Sequence, residues 1–542
     1  MFGDYERNKS MNKNENANWH RGWGTGLIGV VILFVAGYLR YVNLSWNPGW
    51  YSDEGTLVEI AKNMMSGKFQ YLALNKSTLL AARMPLFPAL TSIIFSFTDI
   101  HITYLRYLTA GLGVLTVGIL MIAVNDMVGE REKYLALGAG LFLAIYPKAV
   151  LYSRLGFSYN LLAPLVVIIL WSMYKYLETG NVRNLLLASI LIGVGALSDI
   201  MMFTLLPAIL IIALYKNWKD LYLNFLASII PFLIYSVVMF SLEPEAFLFD
   251  FRFTFFRLGS IPLIAQYPYI VFNYATLIFK DFWWVVAIAG FFMLRDRKIK
   301  YLGIILALFT LFALGRTAAL PGLGYYYLIP LFPLLAVGMA GFLINGTREV
   351  FASINEGTKK YLSNLADDFK IVDLHRFVKP GVFVVTSLLL FVIILSPVVM
   401  TGVLGFYQAD TGIKTDIDPV MIDARDAEAV IDFVNERVNA NELIIASPAI
   451  AWAINANVAD FQMALAYEGN ETIHLPGDIP RDRFSFPVDI NDAAYVVIDP
   501  IWRNWAVSNI DGVQRMVDKI EDWPLVLGVE EIEVYENPGI KQ

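Results

Sequence analysis

The sequence predicts a polytopic α-helical membrane protein with a C-terminal soluble α/β domain, and three observations predict it. Hydrophobic residues make up 57% of the 542-residue chain and charged ones 16%, with a mean hydropathy of +0.56; a soluble globular chain carries roughly 25% charge. Apolar runs of about 20 residues, enough to cross a bilayer as a helix, recur up to residue 404. Beyond 404 these runs stop, and short apolar stretches alternate with acidic ones.

The N-terminal "MFGDYERNKSMNKNENANWHRGWG" is polar and mildly basic. The run after it is long and lacks a small-residue cleavage site, so it reads as a retained first span. About 11 transmembrane helices are expected, at 26–44, 104–125, 134–152, 160–177, 184–199, 201–215, 221–241, 275–294, 301–315, 325–344 and 381–404. The loops "GEREK", "ETGNVRN", "KNWKD" and "RDRKIK" and the segment 345–380 are basic or mixed. By the positive-inside rule they face the cytoplasm with the N-terminus. Loops 45–103, 153–159, 242–274 and 316–324 and the turn at Asp199 then face outside, as does the C-terminal region.

Loop 45–103 is long for a connection, which favours a functional role. Within it "GTLVEIAKNMMSGKF" places Leu57, Ile60, Met64 and Met65 at helical spacing. The stretch 85–97, "PLFPALTSIIFSF", is short and carries two prolines. As a span it would invert the charge bias of every later loop, so it reads as a helix in the external interface. The expected division is 1–404 for the membrane domain and 405–542 for the external α/β domain. There "DAEAVIDFVNERV" and "AIAWAINANVA" read as helices, "ELIIASP" and "AAYVVIDP" as strands, and "PLVLGVEEIEVYE" as a strand pair.

Several function classes lose support. A net charge of −7 gives nucleic-acid binding no electrostatic basis. The absence of cysteine excludes disulfides, thiolate catalysis and cysteine metal sites. Gly24, Gly26 and Gly29 form a G-x-G-x-x-G string, but it enters a membrane helix and follows no strand. His20, His101, His375 and His474 lack zinc spacing.

The sharpest feature is the adjacent pair Asp53 and Glu54 where the first span ends. Capping of a helix beginning at Gly55 by Ser52 or Asp53 accounts for it structurally. A general base at the membrane–water boundary accounts for it functionally, and a cap would fix that base in place. The second feature is "YSRLGFSYN". Arg154 at the external end of a helix is either an interfacial cation or an anion ligand, for which its planar fork suits phosphate. Lys148 adds charge one or two turns earlier. Arg83, Arg106, Arg252, Arg257 and Arg316 are further cations on the nominally non-positive side. Asp199 reads as a turn cap. Tyr325 and Tyr326, in "GLGYYYLIPLFPLL", read as an aromatic belt or as lipid or sugar contacts.

Together the acidic pair, "RMPLFPAL", "SR" and "YYYLIPLFPLL" resemble the GT-C superfamily of integral-membrane glycosyltransferases, over roughly 26–404. The nearest likeness is to dolichyl-phosphate-mannose–protein mannosyltransferases and bacterial aminoarabinose transferases. The resemblance implies a mannose-like hexose or other monosaccharide on a polyprenyl phosphate, and a protein, lipid or glycan acceptor on the external side. It implies inverting displacement with Asp53 as base, Glu54 orienting Asp53 or the acceptor, and Arg154 holding the phosphate, with Lys148 and Arg83 as further phosphate ligands. Relatives usually carry an acid a few residues after that arginine. Here Tyr159 and Asn160 stand there and become possible substrate contacts with Arg316, Tyr325 and Tyr326. The lost acid weakens a metal site, so metal-independent chemistry is expected, a divalent ion being the alternative. A transporter or flippase would place charges mid-helix and show repeats, which this chain does not; a non-catalytic relative is the other alternative. The expected location is an archaeal plasma membrane or bacterial inner membrane.

Overall fold

The computed structural model describes residues 25–79, 84–129, 133–256, 281–317, 325–346 and 420–540, with single positions at 268, 271, 275 and 356. The predicted span 381–404 and Arg83 lie outside the described residues.

The apolar runs form helices close to their expected places. Helix α1 is Thr25–Tyr41. The following loop carries α2 (Ser52–Met65) and α3 (Leu86–Phe95), and the bundle resumes with α4 (Ile102–Val128). Helix α5 (Lys133–Ile145) breaks into α6 (Pro147–Ser153) with a bend of 61°. Pro147 has no N–H to continue the ladder. Then come α7 (Tyr159–Thr179), α8 (Val182–Ala196), the 3-10 turn Ile200–Leu205, α9 (Leu206–Lys216), α10 (Asp220–Leu242) and α11 (Pro244–Phe256). The bundle continues with α12 (Phe282–Met293), α13 (Arg297–Thr317), the 3-10 segment Tyr325–Leu331 and α14 (Phe332–Gly341).

Among the described residues four helices, or five counting the bent pair, are long and apolar enough to cross a membrane. Helix α10 turns Leu233, Ile234 and Val237 outward, each more than half exposed, which in water would be a costly apolar surface and in lipid is not. Helix α3 has ten residues, about 15 Å of helix, too short to cross. It packs Phe87 and Phe95 inward, and the Leu86 N–H donates to the Leu197 carbonyl at 2.9 Å.

The C-terminal region opens with α15 (Ala424–Asn435) and then builds a five-stranded sheet. Its elements are β1 (Leu443–Ile445), α16 (Pro448–Ala451), β2 (Asn457–Ala459), α17 (Phe461–Tyr467), β3 (Ala493–Ile498), α18 (Val513–Glu521), β4 (Leu525–Val529) and β5 (Ile532–Glu536). The order is β2-β1-β3-β5-β4. Strands β1–β3 run parallel, and β5 pairs antiparallel with β3 and β4. Every residue of β1 and β3 is buried, as expected of inner parallel strands. One expectation is corrected: "AIAWAINANVA" is not one helix but α16, a turn and strand β2. A short apolar run is compatible with either state, and pairing with β1 decides it.

Two cores form. One fills the bundle. The other joins the sheet to the first loop, with Trp50, Leu57, Val58, Tyr71 and Leu74 in the same cluster as β1 and β3. The apolar face of α2 is therefore covered by the C-terminal region.

Candidate active site at the start of helix α2

Helix α2 begins at Ser52, three residues earlier than its periodicity suggests, with Tyr51 as N-cap. The acid that reaches back to the Tyr51 N–H is Glu54, at 3.2 Å. Its carboxylate is fully buried. It also accepts from Arg106 Nε at 2.9 Å, Arg106 Nη2 at 2.6 Å and the Gly156 N–H at 2.6 Å. The rest of the Arg106 fork donates to the carbonyls of Pro48 (2.8 Å) and Gly49 (2.7 Å). Glu54 thus clamps three segments: the chain before α2, the first turns of α4 and the 154–158 loop. That geometry suits a positioning residue, since four donors already occupy its oxygens.

Asp53, one residue earlier, is half-buried. Its charge is felt at the Tyr326 hydroxyl. Around that position the aromatic rings converge. Tyr51 lies 5.3 Å from Phe157 and 6.4 Å from Tyr326 between centroids. Phe157 and Tyr159 both stack on Tyr326, at 5.0 and 5.9 Å. Tyr159 and Tyr326 therefore sit together beside the acid, as the sequence reading grouped them. The side chains of Tyr325 and Arg316 lie outside the described set.

Arg154 is 2% exposed. It donates to the Leu39 carbonyl at 2.8 Å and the Asn47 carbonyl at 2.7 Å, and it feels the charges of Arg106 and Arg40. Arg40, at the end of α1, was not singled out from the sequence. It donates to the carbonyls of Leu143 (2.9 Å) and Ala144 (3.0 Å), which the break at Pro147 leaves open, and its Nε has no partner among the described residues. Three buried arginines thus gather near one buried carboxylate, that of Glu54. A lone arginine inside an apolar run was the available sequence signal.

Two predicted contacts have other employment. Lys148 pairs with Asp281 at 3.3 Å, and Asp281 also accepts from the Tyr146 hydroxyl, so its charge is met within the protein. Asn160 is 3% exposed and donates to the carbonyls of Tyr152, Leu155 and Phe157 at 2.9–3.2 Å. It clasps the Arg154 loop, and its amide has no donor left for a substrate. Asp199 caps its turn through the Met201 N–H at 2.9 Å, as expected. Gly26 and Gly29 lie inside α1, which fits the dismissal of a dinucleotide loop. Among the described residues no three His, Asp or Glu side chains are grouped to share a metal ion.

The C-terminal region presses on the acidic pair. The Trp50 N–H donates to the Ile422 carbonyl at 2.7 Å, and the Ile422 N–H returns to Trp50 at 3.1 Å. A Cβ at Gly49 would lie 2.2 Å from the Ile422 oxygen, and one at Gly55 1.8 Å from the Pro448 oxygen. Both glycines flanking the pair are therefore required by backbone contact. Ser447, Asp460 and Asp499 stand at the carboxyl ends of β1, β2 and β3. Tyr71 donates to Asp460 at 3.1 Å, and Ser447 to Asp499. In open α/β sheets this edge commonly receives a ligand; here it receives α2 and the first loop.

Residues 82–245 match the family model of the dolichyl-phosphate-mannose-protein mannosyltransferases. Among solved structures the chain resembles ArnT from Cupriavidus metallidurans bound to undecaprenyl phosphate, with a TM-score of 0.59 at 16% identity over 95% of this chain and 98% of that one. It also resembles the Archaeoglobus fulgidus oligosaccharyltransferase tethered to an acceptor peptide containing the NVT sequon, with a TM-score of 0.52 at 14% identity over 89% of this chain and 70% of that one. No curated protein matches the sequence. The likeness to GT-C glycosyltransferases read from short motifs is thus found again in the family model and the fold.

Proposed function

We propose that this chain is a membrane glycosyltransferase that moves one monosaccharide from a polyprenyl phosphate to an acceptor hydroxyl. The observation that carries the reading is the half-buried Asp53 at the first turn of α2, next in the chain to Glu54, whose buried carboxylate is clamped by Arg106 with Arg154 and Arg40 nearby. The mannosyltransferase family match and the ArnT-like fold support a lipid-linked donor.

In this reading the acceptor oxygen attacks the anomeric carbon from the side opposite the phosphate, and the configuration inverts. The hydroxyl proton passes to Asp53. The electron pair of the breaking carbon–oxygen bond goes to the phosphate, whose growing charge Arg154 stabilises with the field of Arg106 and Arg40 behind it. Tyr51, Tyr159 and Tyr326 wall the space where the sugar sits. The acidic pair, first loop and C-terminal region face the outside of an archaeal or bacterial cell membrane, with eleven spans and a cytoplasmic N-terminus.

The test is transfer from a panel of radiolabelled polyprenyl-phosphate monosaccharides into a membrane extract, comparing wild type with Asp53→Asn. Transfer lost in the variant while lipid binding persists is the expected result. Equal transfer by both proteins would remove Asp53 as the base.

A further inference from the structure

We propose that a cleft between α2, the residues before α4, and α15 is a binding subsite for a sugar ring of the acceptor. Its place in the reaction rests on the transferase reading above; the binding itself does not.

The cleft has a volume of about 480 Å³, within the range of roughly 300–1,000 Å³ that small-molecule sites occupy. Its floor is aromatic. Trp50, His101 and Trp452 pack mutually, with ring centroids 5.3–5.8 Å apart. Trp50 lies three residues before Asp53 in the chain.

The floor also carries a hydrogen-bond donor on His101, while the second indole donor, on Trp50, is enclosed beneath it. Trp50 is 1% exposed, and its indole N–H has no partner among the described residues. A buried donor of this kind normally finds an acceptor. His101 Nδ1 accepts from the Thr103 N–H at 3.1 Å, so a neutral ring carries its proton on Nε2. Burial, and secondarily the nearby Arg106, keep this imidazole below its ordinary value of 6.5 against the opposing pull of Asp99.

The rim supplies acceptors. Glu428 and Asp432 stand one turn apart on α15, exposed, and no ion pair among the described residues holds either. Lys62 completes the rim but is committed to Glu59 at 3.2 Å and the Trp452 carbonyl at 3.1 Å. Two open carboxylates disfavour an anion. The His101 donor in the floor, acceptors at the rim and the aromatic lining between them suit a polyol with one apolar face. A peptide strand is a poorer fit. It is recognised through a free strand edge, whereas these walls are helices, and the backbone N–H and C=O of Trp50 are already bonded to Ile422.

The experiment uses the full chain in a non-glycosidic detergent. Methyl α-mannoside, N,N′-diacetylchitobiose and a short Ser/Thr peptide are titrated by saturation-transfer NMR and tryptophan fluorescence. Saturable binding of at least one of the two sugars is expected. Its dissociation constant should rise at least about tenfold in the double variant Glu428→Gln/Asp432→Asn, through loss of two charge-assisted acceptors. Thermal unfolding of that variant should match wild type because both positions are exposed. Binding should persist in Asp53→Asn, which separates failure of the cleft from failure of the transferase reading. The proposal is overturned if neither sugar binds, if the double variant binds equally well, or if only the peptide binds.

Discussion

Exchanging each of the adjacent acids for its amide should have opposite consequences. Glu54 and Arg106 are both fully buried and meet through two contacts of 2.9 and 2.6 Å. The same carboxylate takes the N–H groups of Gly156 and Tyr51. Glu54→Gln keeps one acceptor oxygen, turns an NH2 toward donors and leaves Arg106 without a counter-charge. Breaking one side of a buried pair costs about 3–5 kcal/mol, and full burial leaves solvent no means of screening the loss. Asp53→Asn is close in shape at a half-buried position, so its stability should change by less than about 1 kcal/mol. Its transfer rate should fall by roughly 10²–10⁴. Denaturant unfolding in micelles, followed by fluorescence, reads the first quantity, and single-turnover transfer reads the second. A cycle pairing Glu54→Gln with Arg106→Gln should give a coupling of about 1–3 kcal/mol. The reasoning fails if Glu54→Gln is as stable as wild type, or if Asp53→Asn loses as much stability as its neighbour.

Three further outcomes are expected. Gly55→Ala drives a Cβ to 1.8 Å from the Pro448 oxygen, so it should loosen the C-terminal region from α2 and speed amide hydrogen exchange in α16 without altering the bundle. Burial raises Asp460 and Asp499 from 3.8 to about 6. The unfolded chain therefore loses these protons near pH 4 and the folded chain near pH 6, so stability should decline as pH rises across that window. At roughly 1.4 kcal/mol per pKa unit the decline is about 3 kcal/mol for each group; a pH series of unfolding curves measures it, and Asp460→Asn should remove about half. Asn160→Asp sets a carboxylate against the three carbonyls that the amide now serves. It should cost about 2–4 kcal/mol, seen as a lower unfolding midpoint, and should not gain activity.

Among the described residues ten of the apolar runs fall on helical segments, because an apolar helix is a local property that satisfies its own backbone in lipid whatever lies beside it. The strands "ELIIASP" and "AAYVVIDP" were equally legible, since buried parallel strands read as unbroken apolar runs. The acidic pair was legible as a pair; the need for glycine at positions 49 and 55 was not, because it comes from the Ile422 and Pro448 carbonyls. The division of labour within it was decided by tertiary structure. Which acid is clamped depends on Arg106, 52 positions away, and on the 154–158 loop, partners with no periodicity to announce them. Lys148 and Asn160 looked available in sequence because Asp281 and the carbonyls of the Arg154 loop are brought to them by folding. Arg40 drew no reading from the sequence, and only the break before Pro147 gives it carbonyls to bind. The sequence could state where charges lie along the chain; burial and pairing, which decide what each charge can do, depend on distances between segments far apart in it.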